Sequence, residues 1–118
     1  MKVTRLSDVE LPAVPNKLFD GEVRSHRFEP LDEKLGPGLG VGLISFSPGA
    51  RTKLHTHTGE QLLYIIDGKG IVATEKEQVV VTAGMLARIP PGEKHWHGAT
   101  KDSSFTHLSV QMPGKTEF

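Results

Sequence analysis

The sequence predicts an all-β chain, on three observations. Thirteen glycines and eight prolines among 118 residues break long helices and supply the turns between short strands. No run of ten or more residues carries a helical apolar stripe. After residue 20 the chain divides into short β-like segments, each ended by turn residues. Many strands at short spacing belong to a sandwich, jelly roll or barrel.

The expected strands, in order, cover 22–28, 39–46, 51–57, 61–67, 70–75, 78–82, 85–89, 94–99 and 104–112. The first two flank a Pro- and Gly-rich segment, 30–40, that reads as a surface loop. Ser47-Pro48-Gly49 turns the second strand into the third, Asp67-Gly68-Lys69-Gly70 separates the fourth from the fifth, and Ala83-Gly84 and Pro90-Pro91-Gly92 bound the seventh. Residues 75–77 form a charged hairpin tip. Residues 11–20 and 113–118 read as irregular. A chain of this length makes one domain, residues 1–118, with a core at about 22–112 and an N-terminal arm at 1–21. In the segment Gln61-Leu62-Leu63-Tyr64-Ile65-Ile66 every position after Gln61 is apolar, so both faces of that strand need cover. A second subunit would supply it, and a homodimer is expected.

Composition excludes several functions. Lys+Arg and Asp+Glu are both 14 and the pI is near 7.0, so the positive field that non-specific binding to nucleic acid or anionic lipid relies on is missing. No apolar run reaches the roughly 20 residues that cross a bilayer, and the N-terminus lacks the apolar stretch of a secretory signal. A cytoplasmic protein with no nucleic-acid or membrane partner is the expectation. Without cysteine, any metal site must use nitrogen and oxygen ligands.

Four of the six histidines form two pairs, His55/His57 and His95/His97. Side chains two apart on a strand share a face, so if both pairs face the inside of a barrel, three or four imidazoles converge. One His-x-His alone is a weak signal; two pairs, each beside a Pro/Gly turn, form a stronger one. The wider spacing sharpens it. Gly49 is followed by five residues, His55, one residue, His57, three residues, Gln61, six residues and Gly68; fifteen residues later Gly84 precedes five residues, Pro90, one residue, Gly92, two residues and His95.

These two segments resemble the paired signature motifs of the cupin superfamily, across residues 49–99. The resemblance implies a double-stranded β-helix (jelly-roll) cupin barrel holding one divalent metal, with His55, His57, Gln61 and His95 as ligands. The usual glutamate is here Gln61, and the asparagine that often closes the second motif is Ala99. Glutamine at this position, together with Gly92-Glu93-Lys94-His95-Trp96-His97-Gly98-Ala99-Thr100 and Thr106-His107-Leu108, is similar to the cupin-type manganese-dependent hydroxynitrile lyases and the carboxymuconolactone decarboxylase-associated cupins. Thr58 stands where those relatives commonly have proline.

Three imidazoles and one amide oxygen suit a first-row divalent ion: manganese first from the resemblance, with iron, cobalt, nickel and zinc also compatible. Neutral Gln61 leaves such an ion its full charge, at a cost in affinity. Glu60 is the competing ligand, but alternation puts it opposite Gln61. His97 lies roughly 6 to 7 Å along the strand from His95 and is expected to line the cavity. In the last strand Phe105, His107, Ser109 and Gln111 share one face; alternation alone does not say which face is inside, and the resemblance favours this one. His97, His107 and Gln111 are then the candidate catalytic groups, moving protons or orienting a small-molecule substrate. His26, Trp96 and Lys94 are read as packing or surface residues, and Tyr64 as an interface residue.

Three functions follow: a metal-dependent enzyme with lyase-type chemistry, a cupin dioxygenase, and a non-catalytic module that binds a metabolite or metal.

Overall fold

Alternation in the strands builds one barrel wall after another in the computed structural model, which describes residues 1–118. The strands are β1 (Phe19–Asp20), β2 (Val23–Phe28), β3 (Gly40–Phe46), β4 (Arg51–Thr52), β5 (Thr56–His57), β6 (Gln61–Thr74), β7 (Gln78–Thr82), β8 (Leu86–Ile89), β9 (His95–Ala99), β10 (Phe105–Gln111) and β11 (Thr116–Glu117). Two short 3₁₀ turns, Leu6–Asp8 and Glu33–Leu35, are the only helical pieces. No helix is long and apolar enough to cross a membrane. The strands run in the order β1-β4-β9-β6-β10-β3-β2, with β7 and β8 also pairing β6; β5 and β11 form a separate two-stranded ribbon.

Strand β6 is the hinge of this arrangement. Its first half pairs β8 and β10, and its second half pairs β7 and β9. The sequence reads 61–67 and 70–75 as two strands with a turn between them, and here the structure corrects the reading. The chain runs on, bending at a bulge beside Asp67 where the β10 register shifts between Thr106 and His107. Gly68 carries φ +78°, and a Cβ there would run into the Ser104 carbonyl. The glycine makes a corner that passes one strand between two sheets. Conversely, the expected strand 51–57 is broken into β4 and β5. His55 instead exchanges both backbone hydrogen bonds with His95, at 2.9 and 3.0 Å.

The ends are less irregular than the sequence suggests. Phe19–Asp20 pairs Arg51–Thr52, and Thr116–Glu117 folds back on Thr56–His57. The core consists of Val23, Phe46, Ala50, Leu63, Ile65, Val81, Ile89, Ala99 and Phe105. Burying side chains of this size stabilises the fold by about 1.5–3 kcal/mol for each large one. Phe46 stacks on Phe105 with ring centroids 5.8 Å apart and also touches His97 and His107, at 5.9 and 5.5 Å. It separates the apolar part of the barrel from the imidazoles.

Candidate metal centre

Five of the six histidines are buried: His55, His57, His95, His97 and His107. Reciprocal backbone bonding of His55 and His95 places the two motifs on one face, with ring centroids 4.2 Å apart. His57 lies 4.8 Å from His55 and 5.2 Å from His95. Gln61, only 3 % exposed, completes the group from the start of β6. Glu60 points the other way, its carboxylate 2.8 Å from the Arg88 guanidinium at the surface.

Hydrogen bonds fix how the rings are presented. Nδ1 of His55 donates to the Lys53 carbonyl at 2.7 Å, and Nδ1 of His95 to the Glu93 carbonyl at 2.8 Å. With a carbonyl taking the Nδ1 proton, each neutral ring turns an Nε2 lone pair inward. His57 Nδ1 lies 2.9 Å from the Thr116 hydroxyl, and its buried Nε2 has no partner. The Gln61 amide donates to Ser109 Oγ at 2.9 Å and to Gln111 Oε1 at 3.1 Å, so its oxygen faces the rings. That oxygen lies 3.1 Å from His95 Nε2. Two acceptors meet there without a proton between them, an arrangement a shared cation satisfies.

His97 is held differently. Its Nδ1 lies 3.0 Å from Nε2 of His107, and its own Nε2 is buried without a partner, as is His107 Nδ1. The donor atoms of His55, His95 and His97 all lie within 4.8 Å of one another. His55 and His95 are therefore common to two ligand sets, one completed by His57 and Gln61, the other by His97. By ring centroids His97 is the more distant, 5.7 Å from His55 and 5.8 Å from His95.

No carboxylate enters this group, and burial disfavours every imidazolium in it. Burial and then the neighbouring His95 and His57 push His55 down to about 4, against the Lys53 carbonyl bond. Burial and His95 push His57 to about 4. His95 is lowered by burial although Glu93 opposes it. Burial puts His97 well below its ordinary value, with His107 adding to the effect, and takes His107 to about 3. Neutral imidazoles with free lone pairs are ready ligands.

A cavity of about 450 Å³ opens onto His55, His57, Gln61, His97, Ser109 and Gln111. On β10, Phe105, His107 and Ser109 are buried and Gln111 half-buried, so the polar face looks inward. His107 sits behind His97 and is not part of the cavity wall. Trp96 projects outward under the Arg51 guanidinium, 3.6 Å from the ring centroid, and His26 packs edge-on to Phe28. Neither joins the buried imidazole group, although His26 lines the cavity.

Sequence reasoning missed Thr116 and Ser109 as groups that orient His57 and Gln61. Thr116 lies in a tail with no strand-like pattern, and 59 residues separate it from His57. Nothing local signals that pairing. Ser109 was visible as a member of the β10 face, but its bond to Gln61 depends on the β6 register.

A cupin barrel whose buried imidazoles could hold a metal ion is the class that this fold and site define. Residues 42–111 match the Cupin domain family, and the chain belongs to it. It is 36% identical over 113 residues to the (R)-mandelonitrile lyase of Granulicella tundricola, covering 94% of this chain and 84% of that protein. It is 34% identical over 102 residues to an acireductone dioxygenase of Leptospira biflexa, covering 77% of this chain and 55% of that protein. A cupin-like protein of Thermotoga maritima superposes with a TM-score of 0.85 at 30% identity, covering 93% of this chain and 86% of that one.

Proposed function

We propose that this chain is a metal-dependent cupin enzyme of small organic molecules, with lyase-type chemistry on a cyanohydrin or related carbonyl compound. The observation that carries this reading is the inward set of lone pairs on His55, His57 and His95 facing the Gln61 oxygen, each ring held from behind by an oxygen. Likeness to the (R)-mandelonitrile lyase supports the reaction class. These four residues would hold one divalent transition ion, manganese first among the candidates, and when bound it supplies Lewis acidity toward a substrate oxygen or nitrile. Gln111 orients the substrate from the cavity wall. His97 Nε2 takes the hydroxyl proton of the cyanohydrin as the bond to the nitrile carbon breaks, and returns that proton to the departing cyanide. His107 acts through His97: by accepting from Nδ1 it keeps the Nε2 lone pair directed into the cavity.

A second reading, oxygen-dependent C–C cleavage, is favoured by the likeness to an acireductone dioxygenase. Metal analysis of the purified protein, then turnover of cyanohydrins and of catechol- or quinone-type substrates with and without chelator, separates the two. Chelator-sensitive release of cyanide supports the lyase, and chelator-sensitive oxygen uptake supports the dioxygenase. Turnover indifferent to chelation ends both, and chelator-sensitive binding without turnover leaves a binding module.

Gln61→Glu will tighten metal retention and lower turnover. The carboxylate adds a charge to the ligand set and gives up the amide protons that now reach Ser109 and Gln111. Competition with a chelator measures it; a variant that releases metal more readily than the parent contradicts the assignment of Gln61 as a ligand.

We also propose that the outer face of the β8-β6-β10 sheet pairs with a second copy. Tyr64 is 45% and Leu86 56% exposed there, opposite each other in register and beside Leu108. Tyr64→Lys is expected to shift the species measured by light scattering from dimer to monomer. A wild-type monomer at micromolar concentration rejects the pairing.

A further inference from the structure

The cavity has one fixed charge. Among the side chains that line it there is no aspartate, glutamate or lysine, and the only permanently charged one is the guanidinium of Arg27. Arg27 sits on the inner face of β2, opposite Gly42, which is itself opposite Ser109. It has no salt bridge or hydrogen bond within the chain. Arg24, three residues back on the opposite face, bonds Glu22 at 3.0 Å and the Leu11 carbonyl at 3.3 Å. A guanidinium left unpaired at a cavity rim is an open bidentate site for an anion.

The floor beside it is bare. On β3 the inward positions next to Arg27 are Gly42 and Gly40, so this strand contributes no side chain between Arg27 and Gln111. A Cβ on Gly40 would lie 3.4 Å from Gln111 Cγ and 3.7 Å from Arg27 Nη2. The two glycines leave a slot bounded by the guanidinium on one side and Gln111 on the other, continuous with the imidazoles. Charge points the same way. No aspartate or glutamate side chain lines the wall, so no acidic side chain there offsets Arg27 or a bound dication.

We infer that the cavity takes a small organic acid, its carboxylate paired with Arg27 over the Gly40–Gly42 floor and its reacting end turned toward the His55, His57, His95 centre. This rests on the metal-site reading for the reacting end only; the carboxylate subsite stands on Arg27 and the two glycines. One planar fork without a lysine or helix terminus beside it matches a carboxylate better than a phosphate, which draws more donors.

Calorimetric titration of matched acid and amide pairs, acetate/acetamide, pyruvate/pyruvamide and mandelate/mandelamide, into both metal-stripped and metal-loaded protein tests the inference. At least one acid should bind more tightly than its amide by about tenfold, the worth of one charged hydrogen bond. That preference should persist without metal and vanish in Arg27→Gln, with Arg24→Gln as the outer-face control. Gly40→Ala should weaken the larger acids more than acetate. Equal binding of acids and amides, an undiminished preference in R27Q, binding of inorganic phosphate in preference to every acid, or no binding of any pair overturns it. If the protein retains no metal at all, the function proposed above fails while the stripped-protein titration still decides this one.

Discussion

His95→Ala leaves a folded chain that no longer retains a divalent ion. His95 belongs to either ligand set: its ring lies 4.2 Å from His55, 5.2 Å from His57 and 5.8 Å from His97, and its Nε2 is 3.1 Å from the Gln61 oxygen. Loss of a hydrogen-bonding group behind a ligand costs about 10–100-fold in metal affinity, so loss of this ligand should cost at least about a hundredfold. Folding survives because the contacts of His95 with His55 that join the two motifs are backbone bonds, which alanine keeps. Elemental analysis after dialysis, with circular dichroism as the folding check, measures both. His97→Ala is the informative companion. It should keep the ion and lose turnover if His57 and Gln61 complete the centre, and lose the ion if His97 does. A His95→Ala protein as metal-rich as the parent would remove the centre altogether.

The histidine centre was legible in the sequence because its information is local. Two residues on one strand face share a direction, and a Pro/Gly turn lies beside each pair, so the shared facing of His55 with His57 and of His95 with His97 could be named before any distance was known, while the set His55, His57, Gln61 and His95 came with the resemblance to the cupin motifs. The all-β class was legible for the same reason, and the choice of a jelly-roll barrel over a sandwich came with the cupin resemblance. The corner at Gly68 was not: Asp67-Gly68-Lys69-Gly70 has the composition of a hairpin turn, and only the packing of Ser104 and Phe105 against it makes the chain run on as one strand. The inward face of β10 was undecided by alternation, because Leu108 and Val110 are as good a core face as Phe105 and His107. What decides it is the pairing of β10 between β3 and β6, which sets Ser109 opposite Gly42 and Leu63. Thr116 and Arg27 act across strand pairings far apart in sequence, which no periodicity encodes.

Acid will begin to weaken the metal-free protein well above the pH at which carboxylates titrate. In the unfolded chain each of these imidazoles binds its proton near 6.5, whereas in the fold His55 and His57 do so only near 4 and His107 near 3, chiefly because they are buried. Across that interval the unfolded state holds more protons, so stability is full above about 6.5 and falls as the pH drops. It levels off once the folded-state values are passed. Each histidine that stays neutral only in the fold removes about 1.4 kcal/mol per pH unit. Several acting together are a large fraction of the stability of a domain of this size. Urea midpoints at pH 7.5, 6.0 and 5.0 measure the decline in the range where the histidines act before the acidic side chains. His107→Leu should reduce the slope by about one proton's worth, since that imidazole is fully buried and bonded only to His97. Bound metal opposes the same protons for the same lone pairs and binds the fold alone, so the loaded protein should hold its midpoint to lower pH. Midpoints equal at pH 7.5 and 5.0 without metal would mean that these rings are already charged or already exposed, and the inward lone pairs on which the centre depends would not exist.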